Sequence, residues 1–142
     1  MPATVEFHTG IAEPVHFACR LLRKAVKSGA RVLVTASPAT LEALDEALWT
    51  FEAQEFLPHV RVPGPAQALA SRTPVWLSAG GWPADAPPVL VNLGGPAPDD
   101  GEAFDRIIEI VGVEPEEVDA SRLRWRHYQG WGVKPVHHGA AA

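Results

Sequence analysis

Cysteine is all but missing from this 142-residue chain, and the lone Cys19 excludes an internal disulfide. Also missing is any apolar run approaching the ~18 residues of a membrane helix, so no membrane association is expected. The opening Met1-Pro-Ala-Thr-Val-Glu6 lacks the charged and apolar regions of a secretory signal, which makes a soluble cytoplasmic protein the expectation. Charged residues make up only 20% and hydrophobic ones 46%. Those shares are ordinary for a globular chain and disfavour disorder, collagen-like repeats and coiled coil. There is no internal repeat and no dividing linker. Residues 1–134 therefore read as a single α/β domain, and 135–142 as a flexible tail unless docked.

The local signatures of catalysis are missing too. After His8 comes Thr-Gly-Ile-Ala-Glu-Pro, with neither the G-x-G-x-x-G nor the G-x-x-x-x-G-K-[ST] pattern that brings backbone N–H groups up to phosphates. Gly94-Gly95 is followed by Asp99 and Asp100, which would repel an anion, and reads as a turn. No G-x-S-x-G elbow exists, and Cys19 lies on the apolar stripe of a helix as a small core residue. His8, His16, His59 and His127 are scattered, and the adjacent His137 and His138 lie in the tail, so no metal site is expected. No catalytic residue and no cofactor are assigned.

What is present is an uneven charge. The net −5 divides into −1 over residues 1–98, −8 over 99–119 and +4 over the remainder, which holds Arg122, Arg124, Arg126 and Lys134 without an acid. The acidic block reads as a solvated face, and the basic end points to a partner. The −5 total argues against direct nucleic-acid binding, which needs many phosphate contacts.

The apolar pattern alternates between strand and helix. Thr4–His8 reads as a short strand that could be an edge, and residues 13–28, with Val15, Cys19, Leu22 and Val26, as an amphipathic helix stopped by Gly29. Residues 31–35 form a run suited to a buried parallel strand, and Ser37-Pro38 opens a second helix through Leu48. Residues 56–62, 75–78 and 89–92 are further strand candidates, and residues 63–74 and 79–88 read as loops. Residues 102–111 carry Phe104, Ile107, Ile108 and Val111 at helical spacing, and Pro115–Gln129 reads as the last helix. Such alternation indicates an α/β layer fold.

On that last helix Arg122, Trp125, Arg126 and Gln129 fall at i, i+3, i+4 and i+7, on one stripe, while Leu123 and His127 are expected to turn toward the core. The structural reading is that the arginines offset the helix dipole and pair with Glu116, Glu117 and Asp119, with Trp125 as packing. On the residues alone that reading comes first, and the alternative is that guanidinium forks beside an aromatic wall suit an acidic peptide ending in an aromatic residue. A second cluster, Trp49, Phe51, Phe56 and Leu57, reads as core, with an exposed partner-binding patch as the alternative.

Six runs, Ala18-Cys-Arg-Leu-Leu-Arg-Lys24, Gly29-Ala-Arg-Val-Leu-Val34, Leu44-Asp-Glu-Ala-Leu-Trp49, Glu55-Phe-Leu-Pro-His59, Val89-Leu-Val-Asn-Leu93 and Arg122-Leu-Arg-Trp-Arg-His-Tyr128, occur in the order and spacing of a known family. Over nearly its whole length the chain resembles the chi subunit of bacterial DNA polymerase III holoenzyme. The resemblance implies a Rossmann-like three-layer α/β fold, with a mostly parallel sheet of about five strands and helices on both faces. It implies a non-catalytic accessory subunit in DNA replication that forms a heterodimer with the psi subunit and through it joins the clamp loader. It also implies binding to the acidic C-terminal tail of single-stranded-DNA-binding protein, and an iron-sulfur helicase is a further partner it allows. The tail site of the family matches Arg122, Trp125 and Arg126, joined by Gln129 on the same stripe; Trp125 stands where some relatives have Tyr, and Val118 where some carry Lys. The psi contact matches Phe56, with Leu57 and Trp49 beside it. The rival reading is a small-molecule or nucleotide-binding Rossmann-like enzyme that uses the crevice at the strand ends.

Overall fold

A computed structural model of the chain describes residues 2, 4–51, 57–62, 72–99 and 104–139. Its sheet has seven strands: β1 (Thr4–Ile11), β2 (Val32–Ala36), β3 (His59–Arg61), β4 (Val75–Ser78), β5 (Val89–Leu93), β6 (Arg106–Gly112) and β7 (Val136–Gly139). They run in the order β3-β4-β2-β5-β6-β1-β7, with parallel pairing in each ladder. Helices α1 (Pro14–Lys27), α2 (Pro38–Thr50) and α3 (Pro115–Gln129) complete the described elements.

Strand side chains alternate between faces, and the core divides accordingly. Val32, Val34, Val75, Leu77, Val91, Ile108 and Ile110 meet Ala18, Cys19 and Leu22 of α1 and Leu41, Leu44 and Leu48 of α2 on one face. Val5, Phe7, Leu33, Trp76, Leu90, Ile107 and Val111 meet Tyr128 of α3 on the other. The result is the three-layer, Rossmann-like α/β arrangement. Each aliphatic side chain fully buried in these layers stabilises by roughly 1.5–3 kcal/mol. Burial pushes the Cys19 thiol up to about 11, so it serves as packing rather than as a nucleophile.

Helix ends follow their local chemistry. Pro occupies the start of all three helices. The Ser37 hydroxyl accepts from the Thr40 N–H at 3.3 Å to cap α2, and Gly29, at φ +84°, carries the chain out of α1.

Three expectations need correction. Residues 102–111 were expected to be helical, yet Arg106–Gly112 is β6, and every residue after Arg106 is buried. A strand covered on both faces has no polar alternation, so Ile107-Ile-Glu-Ile-Val111 mimics helical spacing while its side chains divide between the two cores. β1 is not an edge, because β6 and β7 flank it. The tail is docked through residues 136–139, which pair with Glu6–Thr9 of β1. Together β6 and β7 account for the two strands beyond the five expected.

Candidate functional site

The inner face of α3 is fixed by polar contacts inside the core. Glu109 of β6 is wholly buried; its Oε1 accepts from Arg124 Nε at 2.8 Å, and its Oε2 from the Tyr128 hydroxyl at 2.6 Å and from Asn92 Nδ2 at 3.0 Å. Arg124 and Tyr128 lie one helical turn apart, so both reach the same carboxyl. Burial pushes the Glu109 carboxyl above its ordinary range, opposed by the Arg124 guanidinium and by the Tyr128 and Asn92 hydrogen bonds. Burial, with Glu109 alongside, likewise raises the Tyr128 phenol. Glu109 is thus removed from the solvated acidic face. The acids Asp99, Asp105, Glu114, Glu116, Glu117 and Asp119 do face solvent.

With Arg124 and Tyr128 turned inward, the opposite side of α3 faces out. Arg122, Arg126 and Gln129 are exposed, and Trp125 is partly buried, with its ring centroid 5.0 Å from that of Phe7. The four residues therefore do share a stripe: two guanidinium groups and an amide flank an indole braced against β1. Among the described residues Arg122 makes one ion pair, to Asp119 at 3.7 Å, with both side chains more than two-thirds exposed, so water screens it. Arg126 makes no ion pair among the described residues.

Leu123 does not turn toward the core: it is 65% exposed and adds an apolar surface one turn before Arg126. His127 does not turn into the core either: it is exposed, with Nε2 donating to the Pro98 carbonyl at 2.8 Å and the ring edge-on to Trp131. Arg124 went unrecognised among the residues that matter. Its position on the helix wheel opposite Arg122 and Arg126 is legible in the sequence, but its partner Glu109 was not, because β6 read as a helix.

The second cluster splits. Leu57 is buried in the α1–α2 core, Phe51 is partly buried against it, and Phe56 lies outside the described residues. Trp49 is 62% exposed rather than core. Its ring meets the His59 ring edge-on at 5.1 Å; His59 in turn is held by the Leu57 carbonyl at 2.7 Å and by Asp45 Oδ1 at 2.8 Å. The outcome is an indole presented to solvent on a fixed support.

At the C-terminal ends of the strands, where a nucleotide would sit in an α/β fold, the turn after β5 is filled by its own side chain. Asn92 Oδ1 accepts from the Gly95 N–H at 2.7 Å, and Asn92 Nδ2 donates to the Gly95 carbonyl at 2.8 Å. A backbone donor that a phosphate would need is thereby already occupied.

Comparison with known proteins identifies what the chain as a whole is similar to. Residues 1–136 match the family model described as DNA polymerase III chi subunit, HolC. The chain is similar to the DNA polymerase III subunit chi of Pseudomonas aeruginosa, 36% identical over 116 residues, covering 81% of this chain and 78% of that one. It is likewise similar to the subunit chi of Haemophilus influenzae, 31% identical over 120 residues, covering 82% and 81%. Among solved structures, S. cerevisiae Dbp5 bound to RNA and ADP BeF3 superposes with a TM-score of 0.62 at 10% identity. That match covers 98% of this chain and 42% of Dbp5 and speaks for the fold alone.

Proposed function

Since the chain belongs to the DNA polymerase III chi-subunit family, accessory to the polymerase in DNA replication, we propose that α3 receives the acidic C-terminal tail of single-stranded-DNA-binding protein. The observation that carries this is the outward stripe of α3: Arg122 and Arg126 exposed on either side of the Trp125 indole. Guanidinium groups on a braced helix grip carboxylates in a fork, and the exposed part of the Trp125 indole gives an aromatic terminus an apolar surface to lie on. Gln129 extends the stripe toward the end of the helix as a further hydrogen-bonding group.

Isothermal titration of the tail peptide tests the site. Each charge-assisted bond contributes ~1.5–3 kcal/mol, so Arg122→Ala should weaken binding roughly 10- to 100-fold. Raising the salt should weaken it further, because the pairing is open to solvent. Unchanged affinity in Arg122→Ala would remove the assignment.

For the psi subunit, and through it the clamp loader, we propose the surface around Trp49, with Phe56 added from the family resemblance alone. Leu57, being core, is not available to a partner, but its carbonyl holds the His59 ring against which Trp49 rests. A preformed, half-exposed indole is the kind of anchor that dominates interface energies, commonly by ~2 kcal/mol or more. Trp49→Ala should therefore lower psi affinity about 30-fold in a co-purification titration while leaving tail binding intact. Equal retention of psi would place the contact elsewhere.

A further inference from the structure

Glu6 and His8 are two residues apart on β1, so both side chains leave the same face of the sheet. That is the face covered by α1, where the His8 ring lies 5.4 Å from the ring of Phe17. In the ladder between β1 and β7, His8 is the partner of His138. The two imidazoles stack with centroids 4.9 Å apart and planes 18° apart, and His8 Nε2 lies 3.6 Å from Glu6 Oε2. One ligand atom from each of the three residues lies within 4.8 Å of the other two. His137, next along β7, faces the other way and bonds through Nε2 to Thr9 Oγ1.

We propose that Glu6, His8 and His138 form a binding site for a divalent transition-metal ion of the zinc type. Two imidazoles and one carboxylate oxygen are a recognised three-ligand set for Zn2+, with the fourth position left to water. Bonds of about 2.0–2.2 Å place tetrahedral ligand atoms about 3.4 Å apart, close to the spacing of Glu6 and His8, and rotation of the exposed His138 brings in the third. Arg106 holds the Glu6 carboxylate from behind, with Nε 3.0 Å from Oε1 and a terminal nitrogen 3.0 Å from Oε2. The guanidinium fixes the orientation of this ligand, as outer partners of metal ligands commonly do. Its positive charge also opposes the ion, so the imidazoles carry most of the affinity. Imidazole prefers Zn2+, Ni2+ and Cu2+ to Mg2+, which keeps to oxygen and water. The ion would tie β7, whose four residues are all exposed, to a strand inside the sheet.

The test is a calorimetric titration of the intact protein with ZnCl2, paired with thermal melts. One equivalent should bind and raise the melting temperature, as any ligand specific for the folded state does. Mg2+ should leave the melt unchanged. His138→Ala, at an exposed position, and His8→Ala should each weaken Zn2+ at least tenfold. Glu6→Gln should weaken it less, and His137→Ala should leave it as it is. Absence of Zn2+ binding would overturn the proposal. So would undiminished affinity in His8→Ala, or a loss in His137→Ala equal to that in His138→Ala, since either outcome would mean only that neighbouring histidines near the chain end capture the ion. An equal response to Mg2+ would overturn it as well.

Discussion

Replacing Arg124 by alanine is expected to cost the fold about 3–5 kcal/mol, the usual penalty for removing one member of a buried ion pair. The reason lies in Glu109, which is wholly buried and would keep only the Tyr128 and Asn92 hydrogen bonds. At about 2–4 °C per kcal/mol for a chain near this size, the melting temperature should fall by roughly 10 °C. The loss should also depend on pH. A carboxyl whose folded pKa lies above its unfolded value holds its proton more tightly in the native state, so its contribution to stability is present at low pH and lost as pH rises through the folded pKa. Burial already pushes Glu109 in that direction, and losing the guanidinium pushes it further. Arg124→Ala should therefore be more destabilised near about pH 8 than near about pH 5, read from urea midpoints at both. A pH-independent change below about 1 kcal/mol would show that the pair does not hold α3 to the sheet.

The second large effect concerns the other two arginines and should leave stability alone. Reversing both charges, Arg122→Glu with Arg126→Glu, replaces two charge-assisted bonds by repulsion. Two bonds at ~1.5–3 kcal/mol each correspond to roughly 10²–10⁴ in affinity, so binding of a fluorescent tail peptide should vanish from an anisotropy titration. Both side chains are exposed, and exposed substitutions typically shift stability by less than about 0.5 kcal/mol. A melt unchanged alongside lost binding assigns the residues to recognition; retained binding would refute the assignment. The three arginines lie within five residues of one helix, yet the middle one should behave as core and the flanking pair as surface.

That division was half legible beforehand. The bounds of α3, the outward stripe and the apolar stripe of α1 follow from spacing, proline and glycine alone, because one-sided burial leaves a period in the sequence. Burial on both sides leaves none. Ile107-Ile-Glu-Ile-Val111 therefore concealed a strand, and with it the identity of Glu109 as the partner of Arg124. β7 was hidden for the opposite reason: Val136-His-His-Gly139 is exposed throughout and is held by a backbone ladder that no side-chain pattern announces. Trp49 was misjudged because apolar character does not say which side of a helix has company, and the support from His59 crosses from a different element.

The pairing of β1 also bears on how the protein comes into being. Its two neighbours in the sheet are β6 and β7, so Glu6 meets Arg106 across 100 residues and Thr9 meets His137 across 128. Closing such loops costs entropy before any contact repays it, and chains dominated by distant pairings fold slowly. On the ribosome, β1 leaves the exit tunnel early and must wait, with Val5 and Phe7 uncovered, until β6 has been synthesised. β2, β4 and β5, adjacent in the sheet and close in sequence, can assemble with α2 during that interval. The half of the sheet that carries α3 is therefore completed after the half that carries α2, and a nascent chain is unable to engage a partner through Arg122 and Arg126 until β6 and α3 have been translated.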